Sequence, residues 1–491
     1  MSKNNKCNII LLTLDDVRAD RFLLKKYRQS IIPNINKLLE DSIIFKNAFS
    51  PASWTRSSIA SLFTGRYPSF HDMKIPAPKL QKTQRIYLNN KTIADYLKLK
   101  NYDTYGIIPT PTIRKALGYD KGFNNYIECW KPPLSYLRDP NFDYHYIMNY
   151  IRDLIYGNDK YAHYIIKKIE RHIKKQIITK KKFFVYTDFI NAHAPWSAPR
   201  KYRLKFELRK PKKKIKGKPI LITHNVFSKI IKLVREGKWE FINIYPYIAE
   251  KFKTSNYYLE LLKSKYNAEI AYLDAEIGKF IHFLKEKNIY DDTLIIITSD
   301  HGESFGEHGL LFHKFHLYDN LIRIPLIIKP PFKTKVKKIN GLVSLVDILP
   351  TILSLTGIKS SEKLDGISLY PFNENNTHKY IFSELGWCYK YEINTLKKLN
   401  PNKDFSKIFF PKQCVRTKKY KLFTYIDGKK ELFDIQNDSS ENKNIINQET
   451  DIYNELMNNI NSDLIPLNIQ MERELLKIQI SKIKMIYKRL L

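Results

Sequence analysis

Short apolar runs that stop abruptly at acidic or histidine residues constrain this chain more than any other feature. Asn8-Ile-Ile-Leu-Leu-Thr-Leu14 is cut by Asp15-Asp16. Residues 183–190 (Phe-Phe-Val-Tyr-Thr-Asp-Phe-Ile) meet Asn191-Ala-His-Ala-Pro195, and Leu294 to Thr298 runs into Ser299-Asp300-His301-Gly302. Runs of this length and makeup read as buried strands, and Tyr102 to Ile108 and Ile324 to Ile328 read the same way. Helical patterns lie between them. Residues 91–100 form one, and residues 264–287 the clearest, with Ile270, Leu273, Ile277, Phe280, Ile281 and Leu284 on one apolar stripe. Leu342 to Leu355 reads as a further helix, stopped by Gly357.

Strands alternating with helices predict an α/β fold: a large, mainly parallel sheet sandwiched by helices. Ligands of such sheets sit beyond the carboxyl ends of the strands. Asp15-Asp16, His193 and Asp300-His301 therefore share one rim. From Tyr380 onward the pattern changes to short antiparallel strands, with a turn at Asp427-Gly428. The expected organisation is a first unit over 1–375, an antiparallel subdomain over 376–450 and a basic helical tail over 451–491. Aromatic, basic insertions are expected at about 130–180 and 200–260. In the tail, Leu476, Ile480, Ile483, Tyr487 and Leu490 follow a heptad-like seam, which packs on the parent domain or serves a coiled coil or membrane surface.

Charge narrows the partners. Lys+Arg minus Asp+Glu is 84 − 49 = +35 over 491 residues, with basic runs at His172 to Lys182, Arg209 to Lys218 and Lys333 to Lys338. Such a field attracts polyanions or an anionic surface, and steers anionic small substrates. No nucleic-acid motif accompanies it, so no sequence-specific nucleic-acid partner is expected, and solvated lysines on outer faces account for the runs. The 4 cysteines are scattered without a CxxC pair, against a disulfide scaffold or a cysteine zinc site. The opening residues do not fit a signal peptide, no apolar stretch reaches about 18 residues, and the expected location is cytoplasmic.

The polar clusters carry the chemistry. Asp15-Asp16 and Asp300-His301 end two strands and either cap turns or bind a metal; three carboxylates with an imidazole suit Ca²⁺, Mg²⁺, Mn²⁺ or Zn²⁺. Glycine is scarce, 16 residues in all, yet three lie within eight residues of Gly302-Glu-Ser-Phe-Gly-Glu-His-Gly309, where tight turns would position ligands. In Ser53-Trp-Thr-Arg-Ser-Ser-Ile-Ala-Ser-Leu-Phe-Thr-Gly-Arg66, hydroxyl residues open a short apolar helix. Thr55 at its start is either part of a helix cap or a nucleophile activated beside a metal.

Together these segments resemble the sulfatase family of the alkaline-phosphatase superfamily. The resemblance rests on Asn8 to Asp20, Thr55 to Pro68 ending Thr-Gly-Arg-Tyr-Pro, Ala192-His-Ala-Pro195 and Thr298 to Gly309. It continues through Leu317 to Leu326, Val346-Asp-Ile-Leu-Pro350 and Leu364 to Leu369, and reaches Val415 to Lys421 and Glu431 to Asp438. It implies a metal-dependent hydrolase of sulfate or phosphate esters acting through a covalent intermediate. Asp15, Asp16, Asp300 and His301 would be metal ligands and Thr55 the nucleophile. His193 and one of Lys314 or His316 would contact the ester or protonate the leaving group, and Arg56, Arg66 and His313 would bind substrate. The substrate would be an anionic small molecule, glycan or lipid-headgroup ester.

The chain also departs from that family. Sulfatases oxidise a cysteine or serine within Cys/Ser-x-Pro-x-Arg to formylglycine, whereas this chain has Thr55-Arg-Ser-Ser-Ile59. A threonine cannot yield that aldehyde, because its carbon already carries a methyl group. A direct threonine nucleophile resembles instead the phosphodiesterases and the phosphoethanolamine or phosphoglycerol transferases of the superfamily. Transfer to an alcohol is the alternative reaction, and a non-catalytic polyanion-binding relative the third reading.

Overall fold

The computed structural model describes residues 7–71, 88–129, 160–208, 248, 250, 255–386 and 390–463. The heptad-like seam of the tail, most of the two expected insertions and the 209–218 basic run lie outside them. Among the described residues no helix is long and apolar enough to cross a membrane.

Among the described residues, eight strands form the main sheet: β1 (Asn8–Leu14), β2 (Ile43–Phe49), β3 (Asp103–Ile108), β4 (Asn125–Glu128), β5 (Phe183–Phe189), β6 (Thr293–Thr298), β9 (Arg323–Lys329) and β10 (Lys338–Ser344), in the order β10-β2-β9-β6-β1-β5-β3-β4. The two-residue strands β7 (Ser304–Phe305) and β8 (Leu311–Phe312) form a separate hairpin. Neighbours in the main sheet run parallel except at β9, which is antiparallel to both β2 and β6. β1 sits between β5 and β6, and all seven of its residues are buried. Continuous burial explains why it reads as an unbroken apolar run rather than an alternating one.

The sheet's two faces build two cores. Ile10, Leu12 and Leu14 face one, Ile9 and Leu11 the other, as the two-residue period of a strand requires. The second face is covered by α1 (Thr55–Thr64), α2 (Ile93–Lys98) and α6 (Ile348–Thr356); the first by α3 (Ala162–Thr179) and α4 (Asn256–Glu286). Between α4 and α6 lies the one-turn α5 (Asp319–Ile322). Residues 162–179, expected within an insertion, are thus part of the α/β core. Ile165, Ile169 and Ile173 are buried, while Arg171, Lys174 and Lys175 are exposed. The basic run there is the solvated face of an amphipathic helix, and Lys333, Lys335 and Lys337 are likewise exposed. The helix expected over 264–287 is longer, beginning at Asn256.

The helix expected over Leu342 to Leu355 is corrected. Residues through Ser344 belong to β10, parallel to β2, and α6 begins at Ile348 after a single tight turn. The switch is made by a capping box: Asp347 Oδ2 accepts from Ser344 N at 2.7 Å. Gly357 ends α6 in the left-handed conformation, as expected.

β11 (Ile381–Leu385), β12 (Lys412–Arg416), β13 (Tyr420–Tyr425) and β14 (Lys430–Asp434) form the separate antiparallel sheet, and α7 (Thr450–Asp463) follows. Buried lysines tie this sheet to the main body. Lys412 Nζ donates to Phe315 O at 3.0 Å and Lys421 Nζ to Leu317 O at 2.7 Å.

Candidate active site

Because β1 lies between β5 and β6, the carboxyl ends of these three strands bring Asp15-Asp16, His193 and Asp300-His301 to one rim. Ser299 fastens β6 to β1: its Oγ accepts from Val17 N at 2.9 Å and lies within 2.5 Å of Leu14 O and 2.6 Å of His301 O. Gly302 is required by close approach, since a Cβ there would stand 2.2 Å from Asn320 O.

The imidazole of His301 divides the site. Facing Nε2 are Thr55 Oγ1 at 3.1 Å, Asp300 Oδ2 at 3.3 Å and Asp15 Oδ1 at 3.7 Å. Facing Nδ1 are Asp16 Oδ1 at 2.9 Å and Gly302 O at 3.0 Å. Asp16 adopts a left-handed φ of 67°, so two consecutive carboxylates finish on opposite edges of one ring. The four expected ligands are therefore brought together in two groups: Asp15 with Asp300 and His301, and Asp16 with His301 and His313.

Thr55 is the first residue of α1. Trp54 occupies the cap position, and no side chain caps the helix, which disposes of the capping alternative for Thr55. The first helical bond runs from Ser58 N to Trp54 O, so the amides ahead of it face the rim, an arrangement that favours anions. The Arg56 guanidinium lies 4.9 Å from the Trp54 ring, and its buried Nε has no hydrogen-bond partner. Arg66 lies past the other end of α1, about 16 Å from Thr55 at the helical rise. There its Nε bonds Asp365 at 2.9 Å and its Nη1 bonds Lys363 O at 2.8 Å. Arg66 thus secures the helix end and is not at the site.

The remaining expected residues separate. His193 Nδ1 donates to Ala194 O at 2.6 Å, and its ring stands edge-on to His313 at 5.1 Å. Lys314 is held beside α1 by its amide, which donates to Ser53 O at 3.1 Å. His313 enters the cluster itself, with Nδ1 3.1 Å from Asp16 Oδ1 and 3.5 Å from Glu303 Oε1. Its neighbours Phe312 and Lys314 both take positive φ, 64° and 77°, a costly backbone that aims the intervening imidazole inward. His316 turns away: it stacks on Tyr318 at 3.7 Å, and its Nε2 meets Tyr425 Oη at 2.8 Å in the second sheet. Of the pair Lys314 and His316, Lys314 is the one at the rim.

Burial and charge set the protonation. Burial, with Asp300 and Asp16 alongside, raises the Asp15 carboxyl well above its usual range. Burial would also raise Asp16, but the imidazoles of His313, His193 and His301 hold it well below. Burial would lower His301, but Asp300 and Asp16 carry it up to about 9. Burial pushes His313 down to about 3 against the pull of Asp16. The Gly302 carbonyl can only accept, so His301 Nδ1 keeps its proton and Nε2 is the atom that titrates. Several buried atoms have no hydrogen-bond partner: Asp15 Oδ1, both Asp16 oxygens, Asp300 Oδ2, Glu303 Oε2 and His313 Nδ1. Carboxylate oxygens and imidazole nitrogens left in this state fit a divalent cation.

Three groups escaped the sequence reading. Glu303 is fully buried, although it sits in the glycine-rich loop that drew attention. Asp188, inside β5, accepts from Thr13 Oγ1 at 2.5 Å across the sheet; alternation alone marks it no differently from a solvent-facing residue. Lys160 is buried, with Nζ donating to Asn191 O at 2.8 Å and His193 O at 2.5 Å and standing 3.5 Å from Glu269. Nothing in its local sequence announces that role.

A Sulfatase family model matches residues 7–358, and a model described as N-sulphoglucosamine sulphohydrolase, C-terminal, matches residues 306–470. Arylsulfatase K of Canis lupus familiaris is 32% identical over 192 residues, 38% of this chain and 33% of that protein. The match thus spans about a third of that relative's length. A sulfatase of Formosa agariphila is 23% identical over 462 residues, 89% of this chain and 82% of that one. Among solved structures, the phosphonate monoester hydrolase of Agrobacterium radiobacter has a TM-score of 0.70 at 20% identity, covering 94% of this chain and 96% of that one. A protein in complex with its substrate D-glucosamine-2-N,6-O-disulfate has a TM-score of 0.66 at 20% identity, covering 92% and 96%.

Proposed function

The chain belongs to the sulfatase family, and from that premise we propose an ester hydrolase that passes a phosphoryl or sulfuryl group first to Thr55 and then to water. The observation that carries this reading is Thr55 Oγ1, 3.1 Å from His301 Nε2, at the start of α1. Asp15, Asp300 and His301 Nε2 are the residues that would hold a divalent cation beside it. When bound, the cation polarises the ester oxygens and lowers the pKa of an adjoining hydroxyl.

The chain's own groups supply the rest. Thr55 Oγ releases its proton to water and attacks in line. A bond forms from Oγ to phosphorus or sulfur as the ester bond on the far side breaks. The amides at the start of α1 and the Arg56 guanidinium steady the non-bridging oxygens. His193 or Lys314 hands a proton to the departing oxygen. Water then cleaves the bond to Oγ and restores the hydroxyl. Because Thr55 cannot become an aldehyde, a phosphoester suits it better than a sulfate ester. The phosphonate monoester and sulfated-sugar chemistry of the structural neighbours supports a small anionic or glycan ester as substrate. In this reading residues 1–375 carry the chemistry, and 376–450 buttress the Lys314 segment through Lys412 and Lys421.

The test is hydrolysis of matched aryl sulfate, phosphate monoester, phosphodiester and phosphonate monoester with each of Mn²⁺, Mg²⁺, Ca²⁺ and Zn²⁺. Phosphoester or phosphonate turnover that disappears in Thr55→Ala is expected. Turnover that survives in Thr55→Ala removes Thr55 from the reaction.

A further inference from the structure

Isolated exposed hydrophobic side chains are ordinary, but grouped ones mark a surface that meets a partner. Among the described residues seven large hydrophobic side chains are exposed, and four of them lie at one end of the main sheet. Leu99 follows α2 and precedes β3, while Ile177 and Ile178 lie in the last turn of α3 and precede β5. Leu99 at 69% and Ile178 at 82% are the two most exposed of the seven. β3 and β5 are parallel neighbours that start level: Asp103 lies opposite Phe183, and Asp103 N donates to Lys182 O at 2.9 Å. All three side chains therefore stand at the amino ends of the strands. The turn from β9 to β10 reaches the same end, because Lys329 of antiparallel β9 lies opposite Ile295 near the start of β6, and this turn exposes Phe332.

Lysines surround the group. Lys98 and Lys100 flank Leu99, and Lys174, Lys175, Lys180 and Lys181 flank Ile177 and Ile178; all six are exposed. No acidic residue occurs from Leu97 to Tyr102 or from Arg171 to Lys182. Buried Asp103 is taken by His172 at 3.2 Å. The exposed carboxylates of Asp291 and Asp292 precede β6, on the far side of β1. Solvation explains the outer face of α3 at Lys167, Arg171, Lys174 and Lys175, but not two isoleucines in its last turn. Apolar side chains set among lysines match an anionic bilayer: the charges meet lipid phosphates, and the apolar groups enter the acyl boundary. A nucleic acid would use the lysines and leave Leu99, Ile177 and Ile178 in water. A second copy would bring like charges together.

We propose that the amino end of β3 and β5, where Leu99, Ile177 and Ile178 stand among Lys98, Lys100, Lys180 and Lys181, is a docking surface for an anionic lipid bilayer. The candidate active site lies at the carboxyl ends of the same sheet, about 20 Å away along the seven residues of β5. Docking here turns the site away from the bilayer. The surface thus holds the protein at a membrane and leaves the site open to soluble esters, rather than presenting the headgroups of that membrane to Thr55.

Full-length protein is sedimented with vesicles of phosphatidylcholine alone or with about a third phosphatidylserine, at about 0.1 M and about 1 M salt, with circular dichroism as the folding control. Binding is expected to the phosphatidylserine vesicles at the lower salt, and at least about tenfold weaker at the higher salt or without phosphatidylserine. Ile177→Ser with Ile178→Ser, and separately Lys180→Gln with Lys181→Gln, should each weaken it about tenfold. Lys418→Gln with Lys419→Gln removes the same charge from an exposed turn of the second sheet and should stay within about twofold of the wild type. No binding to the phosphatidylserine vesicles overturns the proposal. Binding that falls equally in the Lys418 and Lys419 variant also overturns it, since net charge alone is then responsible. Binding that survives loss of both isoleucines overturns it as well. Self-association in sedimentation velocity that disappears with the two isoleucines, without vesicle binding, means that this face meets a second copy instead.

Discussion

Thr55 Oγ1 and His301 Nε2 are 3.1 Å apart across 246 residues of sequence. One opens α1 and the other follows β6, and neither is given by its own segment as part of a pair. Their contact places a hydroxyl, an imidazole and the carboxylates of Asp15 and Asp300 on one side of a single ring.

If Thr55 is the nucleophile, its hydroxyl matters and its methyl group does not. Thr55→Ser should retain turnover within about tenfold. Thr55→Ala should lose at least about a thousandfold in kcat, the scale of removing a group that acts only in the transition state. Thr55→Ala should still gain stability from the cation, so intact folding and lost turnover separate cleanly. Rapid quenching of the wild type with a phosphoester should give protein heavier by one phosphoryl group, on the peptide containing Thr55. Equal kcat in Thr55→Ala and wild type would end this reading.

Removal of the cation should be read in stability as well as rate. A ligand that binds only the folded state stabilises it by about 2.7 kcal/mol at a hundred times its Kd. Wild-type protein stripped with a chelator should therefore melt at lower temperature than protein given excess Mn²⁺. In Asp300→Asn that difference should shrink markedly, because one carboxylate beside His301 Nε2 is gone. An unchanged difference in Asp300→Asn would place the cation elsewhere.

Lys160 should position His193 rather than touch the ester. Its Nζ holds Asn191 O and His193 O, while Glu269, fully buried, stands behind it and accepts from Ser197 N at 2.6 Å. Lys160→Met strands a buried carboxylate and should cost about 3–5 kcal/mol in unfolding free energy. Adding Glu269→Gln should recover part of that stability. It should not recover kcat if His193 needs the lysine to stay in place. Full recovery of both in the double variant would reduce Lys160 to a charge partner.

The strands that end at the site were legible because they are buried on both faces and read as unbroken apolar runs. β2 was not identified: Ile43-Ile-Phe is followed by half-exposed Lys46 and Asn47, where its register with β9 shifts. β10 reads as part of a helix because no loop separates it from α6. The one local cue was the Ser344-Leu-Val-Asp347 capping box, which marks where the strand ends. The metal-type residues Asp15, Asp300 and His301 stood out by adjacency. The sequence alone does not reveal the neighbours of His313, because Asp16 and Glu303 come from other turns of the rim and only the fold brings them together. Arg66 and His316 show the reverse error: each lies near a motif in sequence, but packing directs one to Asp365 and the other to Tyr425.

The glycine-rich loop should make stability fall in acid through Glu307. Its Oε1 lies 2.7 Å from Arg18 Nη1, and its Oε2 accepts from Phe305 N at 2.5 Å. Burial alone would raise this carboxyl; Arg18 and the loop amides instead hold it at about 2, below its ordinary 4.5. A depressed carboxyl pKa stabilises the fold fully above the unfolded value, and that contribution is lost as pH falls toward the folded one. Glu307→Gln should therefore be less stable than the wild type at pH 7, by about 1 kcal/mol after allowance for a side chain one-third exposed. The gap should be unchanged down to about pH 5 and close progressively between pH 4.5 and 2. Denaturant unfolding of both proteins at matched pH measures it directly. A gap that stays constant into acid would mean that the neutral Gln side chain, not the lost charge, is responsible.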